Sequence, residues 1–97
     1  MSLREVIISL LTKELTPIYI EVTDFSEQHR GHSGYREGGE THFDAVIISD
    51  KFSGKSKIDR QKMVYAILAE EMKTKIHALT LKTMTGEEAD KRKNFSE

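Results

Sequence analysis

The chain has 97 residues and no cysteine. That is enough for one hydrophobic core and too few for two, and it removes disulfides, thiolate metal ligands and a cysteine nucleophile from what this chain can supply. Fifteen basic residues against sixteen acidic ones leave a net charge of −1, so the global positive field of a dedicated nucleic-acid binder is missing and any such binding must be local.

Leu3, Val6, Ile7, Leu10 and Leu11 recur at the spacing of one helical stripe, which predicts an amphipathic helix over about Ser2 to Leu15. Ser2 with Glu5 has the form of a capping box, and Pro17 cannot continue the helix. From Ile18 to Thr23 β-branched residues alternate faces and predict a strand, Ile18, Ile20 and Val22 lying opposite Tyr19, Glu21 and Thr23. A polar, glycine-bearing stretch from Phe25 to Thr41 reads as a long loop, and loops of this length inside a compact domain are usually either disordered or functional. His42 to Ser49 is apolar on both faces at its end, the pattern of a central strand.

Turn chemistry at Phe52 to Ser56 precedes a second helix capped by Ser56 and running to about Lys73, with Val64, Ile67, Leu68 and Met72 inward. His77 to Met84 alternates as a third, half-buried strand. Thr85 and Glu88 form another capping box, opening a short helix expected to fray at Lys91-Arg92-Lys93. The order is αββαβα. It predicts an α+β domain over 1–97, core about 2–90 and tail 91–97, with a three-stranded sheet and helices on one face.

Chemistry-bearing residues are few. His29 and His32 sit in the Gly-rich loop, where their imidazoles can turn outward; a bare pair at this spacing is more often ordinary loop polarity than a metal site. A structural zinc centre wants four ligands, and this chain offers only histidines and carboxylates. His77 lies at the junction of helix two and strand three, where the negative end of a helix dipole also favours histidine. His42, beside Phe43, reads as a hydrogen-bonded structural histidine.

Lys55, Lys57, Arg60 and Lys62 gather where the turn enters helix two, a local patch suited to phosphate, but with Asp50 and Asp59 alongside and only Phe52 nearby for stacking, a solvated helix face is the better account. Gly54-Lys55-Ser56 ends like a P-loop, but Ser49 stands where the upstream glycine belongs. No nucleophile elbow or catalytic constellation is present, so the chain reads as a non-enzyme.

Several segments, in order, resemble the BolA family: Ser26-Glu27-Gln28-His29, Glu40-Thr41-His42-Phe43 and Ser49-Asp50-Lys51-Phe52-Ser53-Gly54. Asp59-Arg60-Gln61-Lys62-Met63-Val64-Tyr65, Leu68-Ala69-Glu70-Glu71 and Ile76-His77-Ala78-Leu79 continue the match. The resemblance covers roughly Leu3 to Glu88 and implies a fold like the type II KH domain. It further implies partnership with a monothiol glutaredoxin, with a bridging [2Fe–2S] cluster shared with that partner and glutathione, in iron–sulfur trafficking or iron regulation. By the resemblance, His77 is the C-terminal cluster ligand and His29 the loop ligand, with His32 in reserve because the loop is longer than in shorter members. Gln61, where many members carry His, and Gly86, where Pro is common, depart from the family pattern.

The competing reading is a KH-like DNA-binding transcriptional regulator using Lys55, Lys57, Arg60 and Lys62, against which Ser53-Gly54-Lys55-Ser56 supplies only one glycine of a GxxG loop. A third reading is a glutaredoxin regulator that owns no cluster ligand. The expected state is a monomer alone and a heterodimer with its partner. The expected setting is cytoplasmic, because Arg4 and Glu5 interrupt the first apolar stretch, no signal cleavage site follows, and no apolar run approaches the roughly 20 residues of a membrane-crossing helix.

Overall fold

The computed structural model describes residues 2–25 and 42–96. The elements are α1 (Leu3–Leu15), β1 (Tyr19–Asp24), β2 (His42–Ile48), a 3₁₀ turn (Asp50–Phe52), α2 (Lys57–Ile67), α3 (Ala69–Thr74), β3 (Ala78–Met84) and α4 (Gly86–Ser96). The sheet has three strands in the order β1-β2-β3. β1 runs antiparallel to β2, Val22 opposite Ala45, and β2 runs parallel to β3, His42 opposite Ala78 and Ile48 opposite Met84. A parallel pair needs a long crossover, and α2 with α3 supplies it. The expected α+β architecture is therefore present, with a mixed sheet.

Ile7, Leu11 and Leu15 of α1, Val22 of β1, Phe43, Ala45 and Ile47 of β2, Val64 of α2 and Leu68 form one buried cluster with Phe52 and Ile76. These strand residues share a parity, so one face of the sheet receives the helices. On the opposite parity Tyr19, Glu21, Thr80 and Lys82 are exposed.

The capping signals hold. Ser2 and Glu5 exchange both bonds of a capping box, the Ser56 hydroxyl accepts from the Asp59 N–H at 3.1 Å, and Thr85 and Glu88 exchange both of theirs. Fully buried Ser49 donates its hydroxyl to the Leu15 carbonyl at 2.7 Å, which occupies an acceptor left open at the end of α1.

Three expectations need correction. The single helix to Lys73 is two helices, because Leu68 leaves helical geometry at φ −100°, ψ 19°. Leu68 is fully buried and joins the core cluster at this junction. β3 starts at Ala78, leaving His77 just outside the ladder. α4 continues to Ser96, past the basic run where fraying is expected, and Glu87 supports it from below by an ion pair to Lys91 at 3.3 Å.

Candidate functional site

His77 is fixed through its neighbours. At the end of α3 the N–H groups of Lys75 and Ile76 both donate to the Glu71 carbonyl at 2.8 Å, the Ile76 side chain is buried, and Ala78 enters the sheet opposite His42. The intervening imidazole is exposed. A chain pinned on both sides thus presents one ring from a rigid junction.

His42 begins β2 on the adjacent strand. It is 9% exposed, and its ring centroid lies 5.0 Å from that of His77, the planes tilted by 55°. The His42 carbonyl accepts from the Phe25 N–H at 2.8 Å, closing the last rung between β1 and β2. The connection from Phe25 to His42 consequently leaves and returns at the sheet end where His77 sits. His29 and His32 belong to that connection and lie outside the described residues. Among the described residues, no group of three or more His, Asp or Glu side chains converges as a metal site.

A second feature lies at the other end of β3. A cleft of about 560 Å³ is lined by Lys55, Lys57, Arg60, Leu81, Lys82, Thr83, Met84, Glu88 and Arg92. Within it Arg60 is engaged on every side. Its guanidinium donates to both Glu88 carboxylate oxygens, at 2.6 Å and 2.9 Å, to the Lys55 carbonyl at 2.9 Å and to the Thr83 carbonyl at 3.3 Å. It also stands 5.8 Å from the Phe52 ring centroid. The Arg60 bonds, helped by the Thr85 N–H, hold the Glu88 carboxyl down to about 2 from an ordinary 4.5. Arg60 therefore organises the wall of the cleft and joins α2 to α4.

Of the expected basic patch, Lys55 and Lys57 line the cleft with Arg60, whereas Lys62 is not among its lining residues. Sequence reasoning missed Lys82 and Arg92 as members, since only the parallel β2–β3 register and the docking of α4 bring them to α2. It also missed the contact between His42 and His77, whose signal is again the register.

The family model described as "BolA-like protein" matches residues 11–88. The chain is 44% identical over 79 residues to SufE-like protein 1, chloroplastic/mitochondrial, of Arabidopsis thaliana, covering 77% of this chain and 21% of that protein, so it spans only a fraction of that relative's length. It is 40% identical over 85 residues to the DNA-binding transcriptional regulator BolA of Escherichia coli, covering 88% of this chain and 77% of that protein. Among solved structures, the BolA domain of SufE1 from Arabidopsis thaliana superposes with a TM-score of 0.81 at 42% identity, covering 91% of this chain and 96% of that one. The matched span begins within α1 and runs through β3 into α4, including the histidine junction and the Arg60–Glu88 link. By sequence and by fold, the chain belongs to the BolA family.

Proposed function

We propose that this protein is a non-enzymatic partner of a monothiol glutaredoxin, with which it shares a bridging [2Fe–2S] cluster in iron–sulfur trafficking or iron regulation. The observation that carries the reading is the exposed His77 imidazole, held at a rigid junction at the sheet end where the segment bearing His29 and His32 leaves and returns. Two imidazoles can replace two thiolates on one iron, as in Rieske-type centres. In this reading His77 and His29, with His32 in reserve, hold one iron. A chain without cysteine then relies on glutaredoxin and glutathione for the sulfur ligands of the other.

The test mixes the protein with a monothiol glutaredoxin, iron, sulfide and glutathione. A heterodimer should form with a visible spectrum that changes in His77→Ala and in one of His29→Ala or His32→Ala. Pairing that persists with an unchanged spectrum in all three variants would replace this reading by that of a regulator without ligands.

The basic cleft favours a second reading, a KH-like DNA-binding regulator. It places Lys55, Lys57, Lys82 and Arg92 around one concavity, and relatives from Escherichia coli and Haemophilus influenzae are named DNA-binding transcriptional regulators.

A further inference from the structure

We propose that His42 is a positioning residue: its buried ring fixes the orientation of the His77 imidazole through the ring contact across the β2–β3 seam. The inference rests on the cluster-partner reading above, in which His77 is a ligand. The two rings are unequal. His42 is buried and belongs to the ladder, whereas His77 is exposed and lies one residue before the first rung of β3.

An exposed side chain without such a neighbour samples several rotamers, and ordering it opposes binding. At a centroid separation of 5.0 Å and a tilt of 55° the pair lies within the range of tilted aromatic contacts, and this contact selects one orientation of the His77 ring before any partner arrives. Residues that orient a metal-ligating histidine commonly govern metal affinity without touching the metal. The His42 backbone adds a second constraint, since its carbonyl holds the Phe25 N–H at the point where the segment carrying His29 and His32 departs. One residue thereby ties the geometry of His77 to the root of that segment.

The experiment has two arms. In the isolated protein, three-bond carbon couplings report the χ1 distribution of His77. The wild type should show one dominant rotamer, His42→Ala should show averaging, and His42→Phe, which keeps a flat ring, should retain the single rotamer. In the reconstituted glutaredoxin complex, visible circular dichroism of His42→Ala should move toward the His77→Ala spectrum. That variant should also lose cluster to a chelator about tenfold faster, with His42→Phe close to wild type.

Backbone amide spectra establish that the variants are folded, and His42→Gln replaces His42→Ala if the latter is not. An unchanged His77 rotamer distribution in the ring-deleted variant overturns the inference. If His77→Ala itself leaves the cluster spectrum unchanged, the cluster-partner reading falls, while the couplings in the isolated protein still decide whether His42 orients His77.

Discussion

Arg60 shows how one side chain can look like a ligand-binding cation and serve as a structural joint. Its five donors suit a carboxylate and backbone carbonyls, and Glu88, Lys55 and Thr83 supply them. Arg60→Ala leaves two carbonyls and a carboxylate without their partner and should lower stability by about 2–3 kcal/mol in chemical denaturation. Glu88→Gln should cost less, because Glu88 is half exposed and water screens the pair. The sign of its pH dependence follows from the depressed carboxyl. The folded state releases this proton more readily than the unfolded chain, so the contribution is complete above about pH 4.5 and is lost as pH falls toward 2. The stability difference between wild type and Glu88→Gln should therefore narrow over that window; a constant difference would show that the ion pair contributes nothing. Ser49 makes the same point with a neutral group. Ser49→Ala deletes the buried donor to the Leu15 carbonyl and should cost about 1–2 kcal/mol, measured as a shift of the denaturation midpoint at constant slope.

At the level of elements, what was legible in the sequence is what short-range physics controls. The stripe of α1 and its Ser2–Glu5 box, the Ser56 cap and the Thr85–Glu88 box are written in residues three or four apart, and all three helices begin where those signals place them. The break at Leu68 was not legible, because no glycine, proline or cap signal marks it within a run of good helix formers. The cleft was half legible for the same reason: Lys55, Lys57 and Arg60 are neighbours along the chain, whereas Lys82 and Arg92 arrive through β3 and α4. Helix ends also carry two local costs. Thr16 closes α1 in the left-handed region at φ 38°, ψ 59°, which a β-branched residue adopts with strain. Thr16→Gly should raise stability by about 0.5–1 kcal/mol after its own chain-entropy cost, and a lowered melting temperature would refute the strain. Gly86 opens α4 without a positive φ, its N–H donating to an Asp50 carboxylate oxygen at 3.1 Å, and an added Cβ would meet the end of the exposed Ile18 side chain at 2.9 Å and that same Asp50 oxygen at 3.3 Å. Ile18 can swing away and the exposed Asp50 carboxylate can shift slightly at some cost to its bond with the Gly86 N–H, so Gly86→Ala should stabilise by about 0.5 kcal/mol at most. Proline at this position would remove that donor while presetting the helix φ.

The whole molecule separates its two features along one strand. His77 precedes the first residue of β3, whereas Thr83 and Met84 at its far end line the basic cleft, a separation of about 20 Å at the rise of a strand. A chain of net charge −1 thus concentrates cations at one end of the sheet and presents histidine at the other. A partner bound over His77 therefore need not cover the cleft, and the two proposed roles make independent predictions. If the cleft binds single-stranded DNA, the affinity should fall with salt. A Lys55, Lys57 and Lys82 triple alanine variant should then reduce the slope of log K against log salt by about 0.7 for each phosphate contact removed. Lys62→Ala, a charge outside the lining, should change the slope less. The same triple variant should leave the visible spectrum of the glutaredoxin complex intact, and His77→Ala should leave the salt slope intact. Loss of both activities in either variant, with folding preserved, would mean that the two ends of β3 act as one site. Salt-independent binding, or an unaltered slope in the triple variant, would remove the cleft as a nucleic-acid site and leave Arg60 with the structural role it has in joining α2 to α4.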